Sequence, residues 1–186
     1  MLGEPRLNVY VLNADVSPRL LERMQAQVQT AIRALPTWTF SLLASRMTEL
    51  GVTGLALIID PAKADDGALP LSFGDIEGQP AALLRPRVSG NRIEWGQEIP
   101  YVVAKAVGYL AAPPPDAPFW IRWAAAVESD GLRAMAAQSS ASWRDETDLG
   151  LLIEMFAAYA LRNGDNRWSR LRAVQSFLRE WRGDLG

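Results

Sequence analysis

The chain contains neither cysteine nor histidine. Without thiols there is no disulfide framework and no cysteine nucleophile. Without imidazole the commonest general base and the commonest zinc ligand are both missing. Ser–His and Cys–His catalysis are excluded outright. Lysine is scarce too: Lys63 and Lys105 are the two, and neither stands in a Ser-x-x-Lys spacing. Basic charge is therefore carried by arginine, a bias that fits a GC-rich bacterial genome as readily as any use of guanidinium forks. No GxGxxG, no GxxxxGK[ST], no EF-hand spacing and no Asn-x-Ser/Thr acceptor occurs. The longest apolar run, Val52 to Ile59, is interrupted by Thr53 and Gly54 and falls far below the roughly 20 residues a bilayer demands. Met1 to Asn8 lacks a basic stretch followed by an apolar core, so the expected location is cytoplasmic, without membrane contact.

What remains is an ordinary globular composition. Of 186 residues, 49% are apolar and 22% charged, enough to bury a core in a single domain spanning 1–186. The net charge of −2 produces no global field for nucleic acid or an anionic membrane.

Leu7 to Leu12 reads as a first strand. Ser17-Pro18 starts a helix, with serine as N-cap, whose apolar positions Leu20, Met24, Val28, Ile32 and Leu35 run to Pro36. A second helix is expected over Ser41 to Leu50, closed by Gly51. Leu55 to Ile59 is a continuous apolar strand, buried on both faces. Residues 60–80, rich in Gly, Pro and Asp, read as a long surface loop. Ala81 to Val88 and Arg92 to Trp95 read as a hairpin across Ser89-Gly90-Asn91, with Pro86 at a sheet edge. Helices follow at Pro100–Ala111, Phe119–Glu128, Leu132–Ala137 and Asp148–Arg162, the last capped by Thr147, and a final helix carries Trp168, Leu171, Val174, Leu178 and Trp181 on one face. Strands first and helices later predict an α+β fold: a small N-terminal mixed sheet with helices in 1–97, then a helical half in 98–186.

Two charge patterns invite chemistry. Glu94 and Glu98 flank the hairpin exit, and Asp145, Glu146 and Asp148 precede a helix, where acids simply complement the helix dipole. Two carboxylates would suffice for a glycosidase-like hydrolase, so a carboxylate-dependent enzyme is one alternative. Arg162, Arg167, Arg170, Arg172, Arg179 and Arg182 interleave with Trp168, Phe177 and Trp181, a pattern suited to phosphate contact and base stacking. The apolar residues fall at helical spacing, however, so a core-facing stripe with a solvated arginine face accounts for them better in an acidic chain, and nucleic acid is a weak second alternative.

Residues 100–128 resemble the active-site segment of the gluzincins, the peptidase MA-like zinc metallopeptidases. There a helix carries H-E-x-x-H, two histidines on one face around a water-activating glutamate, and a downstream Pro-x-Trp-Leu-x-Glu-Gly-x-Ala segment supplies the third ligand. Here Tyr101-Val102-Val103-Ala104-Lys105-Ala106-Val107-Gly108 matches the first segment and Pro118-Phe119-Trp120-Ile121-Arg122-Trp123-Ala124-Ala125-Ala126 the second. The frame residues Ala106, Gly108, Pro118, Trp120, Ile121 and Ala126 agree, whereas every chemical position departs. Tyr101 and Lys105 stand where the histidines would be, Val102 replaces the general base and Trp123 the third ligand.

The resemblance implies a degenerate scaffold with no metal, no cofactor and no catalytic residue. A non-catalytic interaction or regulatory module follows, a pseudo-peptidase whose groove receives another protein or peptide. Tryptophan and arginine dominate interface energetics, so Trp120, Trp143, Trp181, Arg170 and Arg179 are the expected partner-binding residues.

Overall fold

The computed structural model describes residues 6–12, 16–63, 71–138, 147–161 and 170–183. They form two compact units, Met1–Ala111 and Ala112–Gly186.

In the first unit, β1 (Arg6–Val11) leads into α1 (Pro18–Arg33) and α2 (Thr37–Leu50), then β2 (Gly54–Ile59). α1 buries Leu20, Met24, Val28 and Ala31, spaced by three and four residues, which places them on one helical stripe. Pro18 fits the first helical position because its missing N–H would have no partner there. Ser17 occupies the N-cap but its hydroxyl makes no capping bond; its carbonyl accepts from Leu20 and Leu21 instead. α2 begins a turn earlier than Ser41. The buried Thr39 donates its hydroxyl (2.7 Å) and its backbone N–H (3.0 Å) to the Pro36 carbonyl, so the proline that ends one helix nucleates the next. Gly51, at φ 67°, closes α2 in the left-handed region.

β3 (Ala62–Lys63), β4 (Leu71–Ile76) and β5 (Gln79–Leu84) follow. Residues 60–80 are therefore not one long loop: β4 and β5 form a hairpin about Glu77-Gly78, while 64–70 lie outside the described residues. Both turn residues have positive φ, 54° and 82°, and the Asp75 carboxylate accepts from the Gly78 N–H at 2.6 Å. The main sheet runs β1-β2-β5-β4, parallel except for the antiparallel edge strand β4. Val9, Leu57 and Ala82 lie in register across the three parallel strands, as do Val11, Ile59 and Leu84. Pro80 sits beyond the residues of β5 that pair with β2, so its missing N–H costs the central ladder nothing.

The expected arm Ala81–Val88 divides at Pro86. Its first half belongs to the main sheet, and its second, β6 (Arg87–Ser89), pairs with β7 (Arg92–Glu94) and with β3 in a separate small sheet. Gly90, at φ 57°, makes that tight turn possible. α3 (Ile99–Ala111) then packs on β4, β5, α1 and α2. It buries Val102, Val103, Ala106, Val107 and Leu110 and so belongs with the sheet rather than with the later helices.

The second unit is helical: α4 (Phe119–Ser129), α5 (Leu132–Gln138), α6 (Asp148–Leu161) and α7 (Arg172–Arg182). Its core joins Trp123, Val127, Leu132, Leu152, Met155 and Phe177. Phe119 meets Phe177 and Trp181 edge-on at 4.9 and 5.1 Å, the geometry that ring quadrupoles favour. Thr147 caps α6 as its sequence suggests, accepting from the Gly150 N–H at 3.0 Å. α7 is capped from a distance: the Asp130 carboxylate, at the end of α4, accepts from the Val174 N–H at 2.8 Å. A strand-containing first unit and a helical second one make the fold α+β.

Candidate functional site

α3 is buried almost all round. Along its length Tyr101, Lys105 and Tyr109 are half-exposed while Val102 to Ala104, Ala106 to Gly108 and Leu110 are buried. Four-residue steps put the three on one line of the helix. The two positions matched to the zinc-binding histidines thus stand on the accessible line of α3, and Val102, matched to the general base, faces the core at 1% exposure.

The line carries an ammonium and two phenols. The Lys105 ammonium lies 5.7 Å from the Tyr101 ring centroid and donates to Gln97 Oε1 at 3.4 Å. An ammonium repels a cation, and a protonated phenol is a poor ligand. Among the described residues no three Asp or Glu side chains gather as a cation site would require. At the far end of the line Tyr109 stacks on Phe73 of β4 at 4.3 Å and donates its hydroxyl to the Gly74 carbonyl at 3.0 Å. Burial, and secondarily the Asp75 carboxylate, push the Tyr109 phenol above its ordinary value of 10.0. The arrangement is a polar-aromatic line running up to an edge strand on which Phe73 and Ile76 are exposed.

The other expected residues are placed differently. Trp123, matched to the third ligand, is fully buried in the second unit, donating its indole N–H to the Asp148 carbonyl at 2.8 Å and lying 5.2 Å from Phe177. Trp120 is half-buried, with its indole N–H on the Pro114 carbonyl at 2.8 Å. Trp181 packs against Phe119 and Phe156, so both tryptophans serve that core. Arg170 and Arg179 are exposed, and Trp143 lies outside the described residues, as do Asp145, Glu146, Arg162, Arg167 and Trp168. Among the carboxylates that invited a catalytic reading, Asp148 is paired with Arg133 and Glu94 with Arg92, while Glu98 supplies its backbone carbonyl to the first turn of α3. Sequence reasoning missed β4 as part of the site. Its strand-forming residues Leu71, Phe73 and Ile76 show no clean alternation and stand among Gly74, Gly78 and Pro80, which read as loop.

No family model, curated protein or solved structure matches the chain. Among the described residues no helix is long and apolar enough to cross a membrane.

Proposed function

We propose that this protein is a non-catalytic interaction module, a pseudo-peptidase, that receives an extended polypeptide along β4. The observation that carries the reading is the pairing of an outermost antiparallel strand with a helix whose accessible line bears Tyr101 and Lys105 where a peptidase would bear ligands. An edge strand presents a row of backbone donors and acceptors, and adding a strand to it is a general mode of peptide recognition. Lys105 and Tyr101, one and two turns back along α3 from the Tyr109 that bonds Gly74 of β4, offer a positive charge and an aromatic face to the incoming chain. Val102 can accept no proton from water, so the frame supports binding without turnover. A cytoplasmic location is part of the same proposal.

Phage selection with random linear peptides tests it. Enriched peptides are expected to slow hydrogen exchange at residues 71–76. They are expected to lose affinity in Ile76→Lys, which places a gatekeeping charge on the edge, and in Lys105→Glu. No enrichment, or peptides indifferent to both changes, defeats the peptide-binding reading. Stoichiometric zinc in native protein, or zinc-dependent hydrolysis of casein, defeats the pseudoenzyme reading.

A further inference from the structure

A second feature of the first unit is independent of β4. An open cleft of about 380 Å³ lies between α1 and the start of α3. Ala26 and Ala34 of α1 and Ile99 and Pro100 of α3 contribute apolar walls, and Thr30 between them turns its hydroxyl onto the Ala26 carbonyl at 2.8 Å. A concave, mostly apolar volume of this size with a few polar groups suits a small molecule.

The polar groups sit toward one end. The indole N–H of the buried Trp95 donates to Gln27 Oε1 at 3.1 Å. Because an indole can only donate, this bond assigns the oxygen to Trp95 and leaves the Gln27 amide N–H groups to be offered elsewhere. Arg23, one turn back on the same helix, has a long 3.5 Å contact to the Asn91 carbonyl and pairs with no carboxylate among the described residues. Glu22 and Glu98 are exposed and line none of the cleft. Guanidinium and amide donors therefore stand together at one end of an apolar trough. Arg19, another turn toward the helix start, adds positive charge on the same face.

We infer that this cleft binds a small apolar carboxylate, its head on Arg23 and Gln27 and its hydrocarbon part along Ala26 to Ala34 against Ile99 and Pro100. The guanidinium and amide donors at that end select an acceptor head, and the guanidinium favours a charged one, while Thr30, its proton spent on Ala26, offers only an acceptor farther along the wall. The walls select an aliphatic or aromatic body over a sugar or a peptide backbone.

Octanoate is the probe, titrated into ¹⁵N-labelled full-length protein, with 1-octanol as the uncharged control and butyrate as the short one. The Trp95 indole cross-peak, assigned through Trp95→Phe, reports the head position because Gln27 links it to the cleft. Octanoate is expected to shift that peak saturably, and octanol and butyrate to bind at least about tenfold more weakly, as loss of a charged hydrogen bond or of buried methylenes implies. Arg23→Gln should weaken octanoate by a similar factor. Ala26→Phe, which fills the trough from an exposed helical position, should abolish the shift while retaining native spectral dispersion. No saturable shift, equal binding of octanol, or an Arg23→Gln protein that binds as wild type would overturn the inference. None of these results bears on peptide binding at β4.

Discussion

Trp123 stands where the zinc-peptidase frame carries a ligand glutamate, and its burial decides what a change there would do. Trp123→Glu would leave the Asp148 carbonyl without its indole partner, open a cavity beside Phe177 and bury a carboxylate. A loss of at least about 3–5 kcal/mol is expected in urea unfolding, not a gain of hydrolysis. Glu77 poses the opposite case, since its φ of 54° is costly for a side chain without a local partner. Glu77→Asn keeps the turn and suits its left-handed conformation, so a gain of about 0.5–1 kcal/mol is expected from the same measurement. Tyr109 gives a pH signature. The folded chain raises its phenol above the unfolded value, so its contribution is intact below pH 10.0 and is lost as pH climbs through the folded value. Tyr109→Phe should flatten the alkaline fall in stability, at a cost near neutrality of about 1 kcal/mol for the lost bond to Gly74.

At the scale of elements, α7 depends on a cap from outside its own neighbourhood. Asp130 satisfies the Val174 N–H and opposes the positive end of the helix. Asp130→Ala is expected to destabilise by about 1 kcal/mol, with the first amides of α7 exchanging faster than those of α6, which retains Thr147. Helices were readable because their apolar residues recur at three and four, as in α1 and α7. Caps split by distance: Thr147 lies beside the helix it caps, whereas Asp130 lies 44 residues from Val174 and carries no local signal. β4 was illegible for a related reason. Gly74, Gly78 and Pro80 all favour turns, and pairing with β5 overrode that preference once Glu77-Gly78 closed the hairpin.

Across the whole molecule the chemistry is bounded by what the side chains can hold. A zinc site with a dissociation constant of 10 µM would add about 2.7 kcal/mol of stability at 1 mM metal, a readily measured rise in melting temperature. With no histidine or cysteine in the chain, added zinc is expected to leave the melting temperature unchanged, and a clear rise in differential scanning calorimetry would contradict the proposed role. The division after Ala111 places α3 with the sheet, so Tyr101 and Lys105 are held by one core and Trp123 by another. Periodicity assigned all three to helices and the resemblance gathered them into one frame. Neither carries information on which body of the fold each helix joins.

Composition and local spacing were sufficient to rule out thiol and imidazole chemistry, to order strands before helices and to locate most helices, since those properties depend on residues within a few turns of one another. The outermost place of β4 in its sheet, the accessible line of α3, the burial of Trp123 and the cleft beside α1 emerged from folding alone. Each depends on partners tens of residues apart, such as Tyr109 on Gly74 and Trp95 on Gln27, whose meeting is set by how the elements pack.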